Sequence, residues 1–595
     1  MLKTLLKSVR EYKLPAILSP IFVMLETALE CIIPFVTAKL IDNLYAKEMG
    51  QIYILAVILF GLAILALTFG FFAARFTAVA SAGFAKNVRQ DAFDNIQNYS
   101  FANIDKFSTS SLVTRLTTDI SNIQMSFSMI IRAAFRVPLM MIFSISMALI
   151  VSKEVAWIFI IILPVTAFLL LLIVRIAMPM FGKIFPKYDE FNESIQENIS
   201  GIRVVKTYVR EEYEKEKFRI KNDNIKKEFM RAERVVAFNG PVLQLGIYAA
   251  LVLVTVLGTK TILNTFQGFL PNPDQTGEPI PVWGALSTGT LQSLIAYGFQ
   301  MLSALMFLSM IVVVISISLP GMRRVAEVIN EKPEITNPEF PIYEIPNGDI
   351  EFKNVSFKYS KTAEKFALND INLYIKSGMT VGIIGGTGSS KTSLVNLISR
   401  LYDVTEGELL VGGINVKDYD LVSLRDSVSV VLQKNVLFSG TIKENLLWGD
   451  INATDEEIEY ACKLACADEF INTFADKYDH KIEQGGTNVS GGQKQRLCIA
   501  RALIKKPKVL ILDDSTSAVD MKTDAIIRDG FKKFLPDTTK IIIAQRISSI
   551  EEADMIIVMD NGHIDAIGNS EELLKTNAIY QEVYNIQNGK KGGNE

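Results

Sequence analysis

Three short stretches carry residues that could do chemistry on a polyphosphate. Met379–Ile384 is a brief apolar run, and directly after it stand Gly385, Gly386, Thr387, Gly388, Ser389, Ser390, Lys391 and Thr392, followed by Ser393 and a helix-forming segment to Leu401. A loop of this kind between strand and helix aims backbone N–H groups and a helix N-terminus at phosphate, Lys391 adds a point charge, and Thr392 can reach Mg²⁺. Ser390 stands immediately before the lysine, where the usual pattern has glycine. If that position needs positive φ, the loop is strained or reshaped. Val509–Leu512 is a second apolar run, ending in Asp513-Asp514, which puts a carboxylate where it can hold Mg²⁺, usually through water. A third run, Ile541–Ala544, ends in Gln545. Parallel strands that deliver polar residues to one edge are what ligand sites in α/β sheets require. Together these stretches predict a site for ATP and Mg²⁺.

The elements that must position these groups occupy only the second part of the chain. Of 595 residues 49% are apolar and 21% charged, and nearly all the long apolar runs lie in the first half. Spans near 15–40, 52–76, 130–152, 156–178, 238–264 and 288–318 are each long enough to cross about 30 Å of hydrocarbon. The predicted fold is therefore an α-helical six-span transmembrane bundle fused to an α/β P-loop nucleotide-binding domain. Its expected limits are 1–325 for the bundle, 326–346 for a proline-containing linker and 347–590 for the nucleotide domain. From Ile350 to Tyr359 the alternation of Ile350, Phe352, Val355, Phe357 and Tyr359 predicts the first strand of that domain.

Lys and Arg are dense in 75–136 and 183–234 and sparse in 42–51 and 152–155, so both long connections and both termini face the cytoplasm. These connections are expected to continue their crossings as long helices, with small helices at the tips around Phe107 and Gly201. At the N-terminus, Leu2, Leu5, Leu6 and Val9 share a helical face opposite Lys3, Lys7 and Arg10, which suits an interfacial helix rather than a cleavable leader. Residues 264–283, with Pro271, Pro273, Pro279 and Pro281, are expected to form an external loop without regular structure. Glu26 and Glu30 lie one turn apart inside the first span, where a charge costs roughly 2.5–3.5 kcal/mol. Either they line a substrate path and favour cationic cargo, or neighbouring helices satisfy them.

A net charge of −3 gives no argument for a nucleic-acid partner. Four scattered cysteines make neither a disulfide framework nor, at Cys462 and Cys466, an expected zinc site.

Ser490-Gly491-Gly492-Gln493-Lys-Gln-Arg496, upstream of Asp513, resembles the signature segment of ABC transporter ATPase domains. With the phosphate loop, Gln433 in Val-Leu-Gln-Lys, Ser517 and Asp520 in Ser-Ala-Val-Asp, and six crossings before the motor, the chain resembles an exporter-type half-transporter along its whole length. The resemblance implies a head-to-tail pair of motor domains that sandwich ATP and Mg²⁺. In that pair Tyr359 stacks on adenine and Gln433 senses Mg²⁺ and the γ-phosphate. Ser490, Gly491, Gly492 and Gln493 serve the partner's nucleotide, and the tips near Phe107 and Gly201 are coupling helices.

Two positions depart from the family pattern. Competent members carry Glu after the Mg²⁺ aspartate and His at the end of the later strand, whereas this chain has Asp514 and Gln545, and its histidines are His480 and His563. Both losses resemble the degenerate-site subunit of heterodimeric bacterial multidrug exporters. That likeness implies a second half-transporter as partner, lipid and hydrophobic small molecules as further contacts, and a bacterial plasma membrane as location. A homodimer with slow symmetric hydrolysis and a non-hydrolysing, nucleotide-gated channel or regulator are the competing readings.

Overall fold

An apolar run that enters a bilayer finds no water for its backbone groups, so it must satisfy them internally as a helix. The computed structural model describes residues 1–270, 280–282, 284, 286–360, 363–515 and 518–587. Among these, six helices are long and apolar enough to cross a membrane. The spans are centred on α1 (Lys13–Tyr45), α2 (Met49–Gln97), α3 (Ile120–Val151), α4 (Lys153–Ser200), α5 (Asn239–Thr265) and α6 (Thr288–Asn330). At 49 residues α2 is roughly 74 Å long, more than twice the hydrocarbon thickness of about 30 Å. It therefore continues beyond the bilayer, as expected for so long a connection. Its buried residues crowd into its second half and are mostly small, Ala73, Ala80, Ser81, Gly83, Ala85 and Ala92 among them, which lets neighbouring backbones approach closely.

Several local expectations shift. The N-terminal helix is short, Leu2–Lys7, and it buries Leu5 while Leu2 and Leu6 stay exposed. Two short helices flank Phe107, Phe101–Lys106 before it and Thr109–Thr114 after it, with Phe107 as the C-cap of the first. Ser100 starts it through a reciprocal capping box with Asn103, which satisfies two otherwise orphaned N–H groups. The second tip helix is Ile202–Thr207. Between α5 and α6, Gly268–Leu270 pairs antiparallel with Ile280–Val282. This loop thus contains regular structure which its prolines argued against; Pro281 is accommodated because each strand of a two-stranded ribbon is an edge. Pro271, Pro273 and Pro279 lie outside the described residues.

The chain forms two compact units, residues 1–97 with 109–331, and residues 98–108 with 332–595. The helix α6 runs through 326–330, where a linker was expected, and stops at Asn330 ahead of Pro333. Proline disfavours helical geometry in the residue before it.

In the second unit six strands form one sheet: β1 (Thr380–Gly385), β2 (Val428–Val431), β3 (Val509–Asp513), β4 (Thr539–Ile543), β5 (Met555–Asp560) and β6 (His563–Gly568). Their order is β6-β5-β1-β4-β3-β2, with β6 antiparallel and the others parallel. Every residue of β3 and β4 is buried, as central parallel strands covered on both faces must be. A smaller antiparallel sheet contains Ile350–Phe357, which stops two residues short of Tyr359, together with Leu368–Ile375, Glu406–Val411 and Ile414–Asn415. Register sets the site: Asp513 pairs with Ile543, Leu512 with Val431, and Ile543 with Ile383. The C-terminal ends of four neighbouring strands therefore reach one edge together.

Candidate nucleotide site

At that edge the chain turns from β1 into helix α7 (Lys391–Ile398). Gly385 admits no side chain, because a Cβ there would lie 2.2 Å from the carbonyl oxygen of Met559. Ser390 does not reshape the loop; it takes the left-handed conformation at φ 69° that a glycine would adopt freely. A non-glycine residue held there costs on the order of 1–2 kcal/mol, so the loop is strained at one residue.

Lys391 folds back over the loop. Its Nζ donates to the carbonyls of Gly385 at 2.9 Å and Gly386 at 2.8 Å and to Ser389 Oγ at 3.1 Å. Burial lowers its pKa below the ordinary lysine value. Thr392 Oγ1 donates to Asp513 Oδ2 at 2.9 Å. Burial pushes the carboxyl of Asp513 above its ordinary range, opposed by that hydroxyl. A hydroxyl beside a desolvated carboxylate is a hard-oxygen set, and a divalent cation would compensate the buried charge. The residues fit Mg²⁺.

Asp514 follows at φ 48°, and its Oδ2 accepts from Gln545 Nε2 at 2.9 Å. Burial raises its pKa, and hydrogen bonds from the side chains of Gln433 and Gln545 pull the other way. Two amides thus converge on one short carboxylate. Tyr359 stands beside the loop with its hydroxyl 2.7 Å from Ser393 Oγ, and the residue is 48% exposed. The structure therefore gathers Gly385, Ser389, Lys391, Thr392, Ser393, Tyr359, Gln433, Asp513, Asp514 and Gln545 at one edge of the sheet.

The signature residues are organised differently. Ser490 caps helix α8 (Gly491–Ile504) in a reciprocal box: Gln493 N donates to Ser490 Oγ at 3.2 Å, and Ser490 N donates to Gln493 Oε1 at 2.9 Å. The side-chain oxygen of Gln493 is thereby engaged locally. Gly492 packs so close to the next segment that a Cβ would meet Ala518 O at 2.9 Å. Asp520 caps helix α9 (Met521–Phe534), and the Thr523 N–H it accepts holds its carboxyl below the ordinary range. Ser517 lies outside the described residues.

Two residues of this unit were not singled out from sequence. Tyr402 packs edge-on against the Tyr359 ring at 5.2 Å and donates its hydroxyl to Asp105 Oδ2, on the helix Phe101–Lys106, at 2.5 Å. One ring therefore touches both the aromatic beside the phosphate loop and the tip helix. No local pattern marks such a pair, 297 positions apart.

In the first unit Glu26 and Glu30 share one cation. Arg136 on α3 donates from Nη1 to Glu26 at 2.9 Å and from Nη2 to both oxygens of Glu30 at 2.7 and 2.8 Å. An arginine inside an apolar span was itself the available signal, since such a charge needs a partner.

A family model described as the ABC transporter transmembrane region matches residues 16–269, and one described as ABC transporter matches 368–517. The ABC transporter ATP-binding protein YfiB of Bacillus subtilis is 31% identical across 99% of both chains. A Staphylococcus aureus protein named for multidrug export is 36% identical over 66% of this chain and 65% of its own length. The solved structure of a bacterial Atm1-family ABC exporter with ATP bound superposes with a TM-score of 0.79 over 99% of each chain at 21% identity, which establishes the fold. The phosphate loop, the signature helix and relatives matched end to end agree: the chain belongs to the ABC transporters, with a six-span membrane region and an ABC ATPase domain in one polypeptide.

Proposed function

We propose that the chain is one half of a heterodimeric exporter of hydrophobic or amphipathic compounds at a bacterial plasma membrane, with the ATPase domain and both termini in the cytoplasm. In this reading its own ATP site is degenerate, and its signature segment completes a competent site on the partner. The carrying observation is Asp514, a carboxylate one methylene shorter than the family's glutamate and engaged by Gln545 at 2.9 Å where the family has histidine. A misplacement of about 1 Å can cost on the order of 10²-fold in rate. Multidrug cargo draws support from the name of the S. aureus relative.

In this reading Gly385, Gly386, Thr387, Gly388, Ser389 and Ser390 wrap the phosphates, Lys391 leaves its carbonyl partners for them, and Tyr359 stacks on adenine. Thr392 and Asp513, with Gln433 nearby, hold Mg²⁺, which neutralises charge on the phosphates when bound. Ser490 and Gly491 offer the N-terminus of α8 to the partner's nucleotide. ATP favours the closed motor pair because it binds that state better, and this difference in affinity drives the membrane bundle.

The test is ATPase activity of the purified chain alone and with candidate partner half-transporters. The proposal expects turnover only in the pair, abolished by Glu→Gln in the partner and little changed by Asp514→Ala here. A dimer of this chain alone that hydrolyses ATP and stops on Asp514→Ala is the symmetric exporter instead. A pair that opens to nucleotide without turnover is a channel or regulator.

A further inference from the structure

Between α3 and α6 lies a cavity of about 530 Å³. That is within the range of roughly 300–1,000 Å³ typical of small-molecule sites. Its walls include Arg132, Arg136, Met140, Phe299, Gln300 and Phe307. Both charged groups facing it are guanidinium ions. Glu26 and Glu30 do not line it; they stand behind Arg136, which engages both. Glu26 is buried further by Gly70 on α2, where a Cβ would already come within 3.0 Å of Glu26 Oε1.

Arg132 sits one turn before Arg136 on the same face of α3 and is half-buried. Among the described residues no carboxylate forms a salt bridge with it. A charge in a membrane-crossing helix is expensive and calls for a partner or a ligand. The remaining wall is mostly apolar, with Phe299 and Phe307 46% and 52% exposed; Ser303 adds a neutral hydroxyl, while Gln300 donates to the Glu30 carbonyl and accepts from Ser144.

We propose that this cavity is a subsite for an amphipathic anion, with a carboxylate or similar head on Arg132 and an apolar body against Met140, Phe299 and Phe307. The acidic residues of the first span then serve to fix Arg136 and do not select cationic cargo. This inference rests on the transport reading above and names the charge class of its cargo.

The test uses the full chain in phosphatidylcholine nanodiscs and two dansyl probes of equal shape, 11-(dansylamino)undecanoic acid and its primary amide, with empty discs as the partition control. The acid is expected to bind at least tenfold more tightly than the amide. Arg132→Gln should remove that advantage while leaving amide affinity and thermal midpoint unchanged, and Arg132→Lys should keep most of it, since a guanidinium–carboxylate contact is a charge-assisted bond. Equal binding of acid and amide, or an Arg132→Gln variant that weakens both alike, overturns the proposal. Repeating the titration with phosphatidylglycerol in the discs separates two sources of the anion: displacement assigns the site to lipid, and unchanged affinity assigns it to free cargo. Because binding is read without nucleotide or partner, a failure of the export reading is seen separately, as absence of ATP-driven transport of either probe by the pair.

Discussion

The two ends of the ATP machinery in this chain are built to different standards. At the phosphate-loop edge Ser390 is held in a left-handed conformation, Lys391 is tied to carbonyls, and Asp514 sits at positive φ under two amides. At the signature, Ser490 and Gln493 close a relaxed capping box, and Gly492 packs against Ala518 with no room for a side chain. Of these two ends, the positive φ at Ser390 and Asp514 and the departures from the family pattern both fall at the phosphate-loop edge. The part it would offer to a partner keeps the family's residues. In the proposed pair, the contrast means that one polypeptide is a poor ATPase and still indispensable to one.

The largest effect should come from the sound end. Gly491→Asp places a negative charge at the N-terminus of α8, where phosphate is expected, and should lower ATPase of the assembled pair by more than about 100-fold, against less than about twofold for Asp514→Ala. Equal losses would erase the contrast. The next largest is a gain. With the partner's own site silenced by Glu→Gln, Asp514→Glu together with Gln545→His should raise steady-state turnover by on the order of 10²-fold, the size expected from restoring about 1 Å of reach. No gain would mean that the defect lies elsewhere in the loop.

Smaller effects concern strain and buried charge. Ser390→Gly removes the left-handed penalty but adds freedom to the unfolded chain, so the net stabilisation should be about 0.5 kcal/mol, seen in denaturant melts of the nucleotide-free protein. A loss of stability would show that Ser390 is not strained. Asp513→Asn removes a carboxylate whose folded pKa is raised by burial. A raised acid ionises first in the unfolded chain, so its penalty on the fold is greatest above the folded value and fades as pH drops through that value toward about 3.9. Without nucleotide the variant's melting temperature should exceed the parent's at pH 7.5 by a degree or two, and the difference should vanish near pH 4. An advantage that persists at pH 4 would point to packing instead.

Local patterns made much of this legible from sequence. The phosphate loop, the strand before Asp513 and the six spans announce themselves within a few residues, and the parallel direction of the strands followed from where their polar ends must meet. The misses are non-local or depend on a cap. Arg136 lies 106 and 110 positions from Glu30 and Glu26, so no window of sequence joins them. The helix Phe101–Lys106 was missed because its capping box, Ser100 with Asn103, has Asn in the place where Glu or Gln is usual. The ribbon at Gly268–Leu270 was hidden by Pro281, and the bond between Tyr402 and Asp105 exists only once the chain has folded.

The most direct measurement is the fate of nucleotide at each site of the pair. Photolabelling with 8-azido-[α-³²P]ATP during turnover, separation of the two subunits and chromatography of the attached nucleotide would show which site hydrolyses. The account predicts intact ATP on this chain and ADP on its partner. ADP on both in equal measure would contradict it.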